Sequence, residues 1–219
     1  MVAHTGPIGV FGGSFDPIHC GHLALARAAR DELQLVELLL VPAARPWQKN
    51  PITDATHRVR MVELAIAGEA RLRLEDCELK RAGASYTVDT LRELRARYGA
   101  QTPLVLVIGT DQMERFDTWH AWQSILQFAH LGVARRNDAV LVLSCSLQAF
   151  YNEHWAPAGA WRDAPCGQVI EIAMPPHDAS ATEVRSLLAA PPGPERATRL
   201  AQIMPAAVLD YIRAHHLYT

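Results

Sequence analysis

The chain reads as an α/β protein built on a doubly wound parallel sheet, with a small helical subdomain at its C-terminal end. Three features point there. Short apolar runs at 7–11, 36–42 and 104–108 alternate with stretches of helical periodicity, the pattern of βαβ units. The runs are continuous in apolar character, as strands covered on both faces are. Glycine-bearing turns, Gly12-Gly13 and Gly109, close the first and the strongest of these runs, where a doubly wound sheet binds ligands.

Taken in order, Pro7 to Phe11 suits a buried first strand. Leu23, Leu25, Ala26, Ala29 and Leu33 fall near helical spacing, so a helix begins near His19. Val36 to Pro42 is a second strand, ended by proline, and residues 43–53 form a loop with two prolines and two cations. Asp54 caps a helix whose apolar face is read as Val59, Met61, Val62, Leu64, Ala65 and Ile66. Leu72 to Leu74 suits a short strand. Ser85-Tyr86-Thr87 leads into a helix with Val88, Leu91 and Leu94 inward, stopped by Gly99. Leu104 to Ile108 is the strongest strand, followed at once by Gly109-Thr110-Asp111. Residues 117–127 read as a capped helix carrying Trp119, Trp122 and Leu126, and Ala129 to Ala134 as another strand. Val140 to Leu143 fits strand or helix equally, whereas Leu147, Phe150, Tyr151 and Trp155 favour a helix. Gln168 to Met174 makes a last strand. Helices at about 181–189, 195–203 and 205–215 are broken by Pro191, Pro192 and Pro194. This divides the chain into an α/β domain over 1–178 and a helical segment over 179–219 packed on the same core.

Composition narrows the function. A length of 219 residues allows one good-sized core, and 49% hydrophobic with 20% charged residues is ordinary for a soluble enzyme. A formal charge of −2 argues against a nucleic-acid partner. Neither a signal-peptide layout nor an apolar run of ~20 residues is present, so no membrane association and a cytoplasmic location are expected. Cys20, Cys77, Cys145 and Cys166 form no C-x-x-C pair, which makes disulfides and structural zinc unexpected.

The chemistry concentrates in Gly12-Gly13-Ser14-Phe15-Asp16-Pro17-Ile18-His19-Cys20-Gly21-His22. It sits where a strand feeds a helix, so glycines admit a close ligand and the helix start offers unpaired N–H groups to an anion. His19 and His22, three apart on one turn, face the same way. Gly21 between them is expected to leave room for a phosphate chain. A helical zinc pair more often has i, i+4 spacing and further ligands, and none is evident. Ser180-x-x-Glu183 is a capping box, and Arg185 one turn on adds a fork of donors suited to phosphate.

The eleven-residue block resembles the H-x-G-H signature of the nucleotidylyltransferase superfamily, and in its longer form it is similar to that of bacterial nicotinate mononucleotide adenylyltransferases. Four further places carry the resemblance: Pro46-Trp47-Gln48-Lys49; Ser85-Tyr86-Thr87 with Asp89-Thr90-Leu91; Ile108-Gly109-x-Asp111 with Phe116 and Trp119; and Ser180-Ala181-Thr182-Glu183-Val184-Arg185. Two departures stand out. Ala179 replaces an isoleucine, and Arg135-Arg136-Asn137 replaces Arg-Pro-Gly, leaving either arginine to face the site.

The resemblance implies a Rossmann-like nucleotidyltransferase fold and an enzyme that joins ATP, brought with Mg2+, to nicotinate mononucleotide, releasing pyrophosphate in NAD biosynthesis. His19, His22 and Arg185 are the implied catalytic residues. Gly12, Gly13, Ser14, Phe15, Gly109, Asp111, Ser180 and Thr182 are expected to hold the nucleotide. Lys49, Tyr86, Thr87, Trp119, His120 and Arg135 are expected to hold the mononucleotide. Trp119 is assigned to stacking on the nicotinate ring, and Tyr86, Thr87 and His120 to its carboxylate. Asp16 is a candidate indirect contact to the metal, no residue is assigned as a metal ligand, and Cys20 is not expected to act. Oligomeric state stays open, with a homodimer among the options. The alternatives are a sister transferase using nicotinamide mononucleotide or another phosphorylated substrate, and a nucleotide-binding regulator without catalysis.

Overall fold

The computed structural model describes residues 6–45, 52–136, 141–157, 159–174 and 177–218, with Arg136 described in its backbone alone. Six parallel strands form one sheet: β1 (Ile8–Gly13), β2 (Glu37–Pro42), β3 (Leu72–Leu74), β4 (Leu104–Gly109), β5 (His130–Arg136) and β6 (Val169–Met174). Their order is β3-β2-β1-β4-β5-β6, so the chain reverses direction across the sheet between β1 and β4. That crevice is where an open α/β sheet binds ligands. The register Gly13↔Pro42 and Val10↔Leu106 brings the carboxyl ends of β1, β2 and β4 to one edge.

The continuous apolar runs make strands because each face of the sheet has its own core. Phe11, Leu38, Leu40, Val105, Val107, Ile170 and Ile172 point into one cluster. Their neighbours Val10, Leu39, Val41, Leu106, Ile108, Leu131 and Val133 point into the other. Alternation of this kind turns an unbroken apolar run into two half-cores. The first cluster takes in α1 (Cys20–Glu32) and α2 (Ala55–Ile66). It also takes in α7 (Ala181–Ala189), α8 (Pro194–Ile203) and α9 (Ala206–Ala214), through Val184, Leu188, Leu200, Ile203, Val208 and Ile212. The second takes in α3 (Cys77–Lys80), α4 (Thr87–Tyr98), α5 (Thr110–Met113) and α6 (Cys145–His154).

Most expected elements are present within a residue or two. Three expectations change. The helix read over 117–127 is two 3-10 turns, Phe116–Thr118 and Trp122–Gln127, separated by Ala121 in the left-handed region (φ 49°). Residues 141–144 take no regular form, although Leu141 and Leu143 lie on the second core. The inner face of α2 is Arg58, Met61, Val62 and Ala65, with Val59, Leu64 and Ile66 left part-exposed. Trp161, in a 3-10 turn the sequence did not announce (Ala160–Asp163), is a buried wedge under the sheet. All four cysteines are free thiols. Among the described residues no helix is long and apolar enough to cross a membrane.

Gly99 ends α4 at φ 91° and ψ 160°, a conformation open in practice only to glycine. Gly99→Ala should therefore lower unfolding free energy by roughly 1–3 kcal/mol in urea titrations. An unchanged midpoint would show that the backbone relaxes there without cost.

Candidate active site

The site is assembled at the edge where β1 meets α1. Gly12 is exposed, and a Cβ built on it would meet nothing, so the end of β1 is bare backbone open to a ligand. Gly13 is different: the Phe15 ring lies against it, 3.0 Å from where a Cβ would stand. Phe15 adopts φ 47° and turns its ring inward, edge-on to Phe11 at 5.4 Å and to His22 at 5.2 Å. Its side chain is thus a buttress for His22, and only its main chain faces the cradle.

His19 caps α1 with an extended backbone, and its own N–H donates to His22 Nδ1 at 3.2 Å. The two rings lie 3.8 Å apart at 30°. Because His22 Nδ1 accepts, a neutral His22 carries its proton on Nε2. His19 is only 6% exposed, and its Nδ1 is buried without a hydrogen-bond partner. Burial holds its pKa down at about 4, helped by the nearby His177 and opposed by Glu183. His19 is therefore neutral at physiological pH in the ligand-free protein. The space at Gly21, expected to admit phosphate, is already filled. A Cβ there would sit 3.1 Å from the His19 ring and 3.1 Å from the Ala179 carbonyl. Gly21 is needed for protein packing, which lets the loop before α7 close against α1.

That loop leads into α7, which carries the site's guanidinium. Ser180 caps α7, its Oγ accepting from the Glu183 N–H at 3.1 Å, so this side chain already serves the helix. Arg185 reaches back from α7 and donates Nη1 to the Asp16 carbonyl at 2.7 Å, with Nη2 3.4 Å from Thr182 Oγ1. Its guanidinium thus lies against the histidine-bearing motif from the other end of the chain. Asp16 itself is 5% exposed, and its carboxylate accepts from Tyr218 (2.6 Å) and from the Thr53 N–H (3.3 Å). Those partners make it an internal brace.

A second cluster lies at the ends of β2, β4 and α4. Tyr86 caps α4, with Thr87 its first residue, and stacks on His120 at 4.3 Å and 28°. Trp119 is part-buried against Phe116, 5.4 Å between centroids. The Asp111 carboxylate folds back over Gly109, 2.8 Å from where a Cβ would stand, and accepts from Gln112 at 2.9 Å. Arg135 stands apart, on the second strand out from β1, paired with Glu171 at 2.6 Å. Lys49, with the Pro46–Lys49 stretch, lies outside the described residues, as does the Arg136 side chain.

Two residues that hold the site were absent from the expected set. Arg58, fully buried, donates to the carbonyls of Ser14 (2.7 Å), Thr53 (2.8 Å) and Ala44 (3.4 Å). It occupies the first position of an i, i+3, i+4, i+7 stripe, a signal readable in sequence as a cation on an apolar face. Ser85 Oγ accepts from the Ala44 and Arg45 N–H groups at 3.1 and 3.2 Å, tying the loop after β2 to the start of α4.

The cytidylyltransferase-like family matches residues 10–187. A relative from Bordetella petrii, named probable nicotinate-nucleotide adenylyltransferase, is 42% identical over 96% of this chain and 98% of its own. The chain belongs to the cytidylyltransferase-like family. Another member with the same name, from Cellvibrio japonicus, is 39% identical over 96% of this chain and 98% of its own. The fold also matches a solved structure, Plasmodium falciparum nicotinic acid mononucleotide adenylyltransferase complexed with NaAD. There the TM-score is 0.72 over 97% of each chain at 18% identity.

The buried neutral His19 has a signed consequence. Between pH 6.5 and about 4 the unfolded chain takes up a proton that the folded chain refuses, so stability falls as pH drops through that window. Between pH 7 and 4.5, urea titrations should show the wild type losing roughly 2–3 kcal/mol more than His19→Gln. Parallel losses in the two proteins would contradict the burial assigned to this ring.

Proposed function

We propose that this chain transfers the adenylyl group of ATP to nicotinate mononucleotide, giving nicotinate adenine dinucleotide and pyrophosphate. The observation that carries the reading is the juxtaposition of stacked His19 and His22 at the start of α1 with Arg185 on the Asp16 carbonyl. The names of the full-length relatives support the choice of substrates.

The chemistry asks little of a base. A phosphate monoester with a second pKa near ~6 is mostly dianionic at neutral pH. One of its oxygens attacks the α-phosphorus of ATP, the new P–O bond forms as the bond to the β-phosphate oxygen breaks, and pyrophosphate departs with the electron pair. The protein has to hold two anions in line and offset charge on the leaving group. In this reading His19 serves the α-phosphate and transition state, and His22 and Arg185 serve the β- and γ-phosphates. The Gly12–Phe15 main chain, Ser14 and the start of α7 at Ser180 and Thr182 cradle the chain of phosphates. Gly109 and Asp111 hold the nucleoside. Tyr86, Thr87, Trp119 and His120 receive the nicotinate ring and carboxylate, and Lys49 serves the substrate phosphate or the leaving group, a task Arg135 would share only on leaving Glu171.

Among the described residues no group of three or more His, Cys, Asp or Glu side chains is arranged to hold a metal. Magnesium in this scheme travels as MgATP, held by phosphates and water, as is usual for this ion. The approach of a polyanion favours the charged imidazole, so His19 gains positive character as ATP binds.

Pyrophosphate release with ATP and each pyridine mononucleotide tests the proposal: the acid should be strongly preferred to the amide. His19→Ala should lower kcat about a hundredfold or more while calorimetric ATP affinity changes far less. Full turnover by the folded variant would remove His19 from the transition state.

A further inference from the structure

Tyr218 lies at the opposite end of the chain from the histidine motif, yet its hydroxyl donates to Asp16 Oδ1 at 2.6 Å across 202 residues of sequence. The tail does not drift there. After α9 the chain turns through two left-handed residues, His216 (φ 51°) and Tyr218 (φ 63°), with the Leu217 N–H donating to the Ile212 carbonyl at 3.1 Å. Left-handed backbone at non-glycine residues is costly and persists where surrounding contacts impose it. Leu217 and Tyr218 pack part-buried on the first core, and the phenol ends on a carboxylate that is itself 5% exposed.

From this we propose that Tyr218 is a positioning residue for adenylyl transfer, fixing the Ser14–Asp16 segment of the cradle through the Asp16 carboxylate. The inference rests on the adenylyltransferase reading above. Asp16 has two functions on two different groups. Its side chain is fastened by Tyr218 and the Thr53 N–H, while its main-chain carbonyl is the perch on which Arg185 sits at 2.7 Å. Arg58 clamps the same segment at the Ser14 carbonyl and joins it to Thr53, whose carbonyl it also binds. Removing the phenol hydroxyl leaves a buried carboxylate oxygen short of a partner, which is costly enough to shift the peptide. Any shift there moves Arg185 relative to His19, three residues along, and misplacement on that scale weighs on a transfer that depends on alignment. Burial and the neighbouring Asp16 carboxylate hold the Tyr218 phenol protonated, so it donates throughout the working pH range.

The test compares two single-oxygen deletions in the C-terminal region. Tyr218→Phe keeps the ring and its packing. Tyr211→Phe removes a hydroxyl from α9 that pairs instead with His57 Nδ1, at 2.9 Å. Steady-state pyrophosphate release and melting temperature are measured for both with ATP and nicotinate mononucleotide. Tyr218→Phe should lose about tenfold or more in kcat. Its KM for the mononucleotide should stay within about twofold, the split expected when only the transition state is affected. Tyr211→Phe should keep wild-type kcat at a comparable melting temperature. Wild-type kcat in Tyr218→Phe, or equal losses in the two variants, would overturn the assignment. A wild-type chain that releases no pyrophosphate with any mononucleotide would overturn the functional reading, and this one with it.

Discussion

The hydrogen bond from Arg185 to the Asp16 carbonyl joins the two ends of the chain into one site. It bridges 169 residues and is made by α7, which the sheet alone would not bring to β1. What makes it possible is the absence of a side chain at Gly21, against which the Ala179 carbonyl and the His19 ring both pack. The same residue that frees His19 to cap α1 therefore lets the loop before α7 approach. Without that close contact, the bare main chain at the end of β1 and the guanidinium would be separate features of one surface.

Around this joint the protein sets arginines on main-chain carbonyls. Arg58 collects three carbonyls from the turn after β1 and from both ends of the loop after β2. Arg95 does the same at the far end of the sheet, bonding the carbonyls of Phe128, Thr102 and Pro165. Burial lowers the pKa of both below the usual arginine value. A planar fork of five donors suits this task, because one side chain can fix several loops whose carbonyls would otherwise lack partners. The result is a rigid frame under a cradle that depends on exposed backbone.

Much of this was legible in the sequence because it follows from period and turn chemistry. Continuous apolar runs announced β1, β2 and β4, Asp54 and Gly99 marked helix ends, and the histidine block placed the cradle at the switch in strand order. The failures have physical causes. Residues 117–127 carry aromatic spacing that fits a helix, but Ala121 in the left-handed region breaks it into two tight turns, a conformation alanine does not advertise. Arg58 is absent from the expected site because a partner such as the Ser14 carbonyl, 44 residues away, is invisible in local sequence, although the stripe itself places it inside. Gly21 was read as room for ligand when its neighbours in space, unlike those in sequence, were protein. Tyr218 gave no local signal, since its partner lies 202 residues away and only the folded chain brings them together.

The account stands on His19 and Arg185 acting on a single triphosphate. Two groups that share a ligand do not act independently, so their substitutions should not combine as separate losses. The most direct measurement is kcat for pyrophosphate release in His19→Ala, Arg185→Ala and the double variant, each checked for a native melting transition. The account predicts a double loss clearly smaller than the product of the single ones, a coupling on the order of 1 kcal/mol or more. Losses that simply multiply would mean the two side chains act apart, and would contradict the site described.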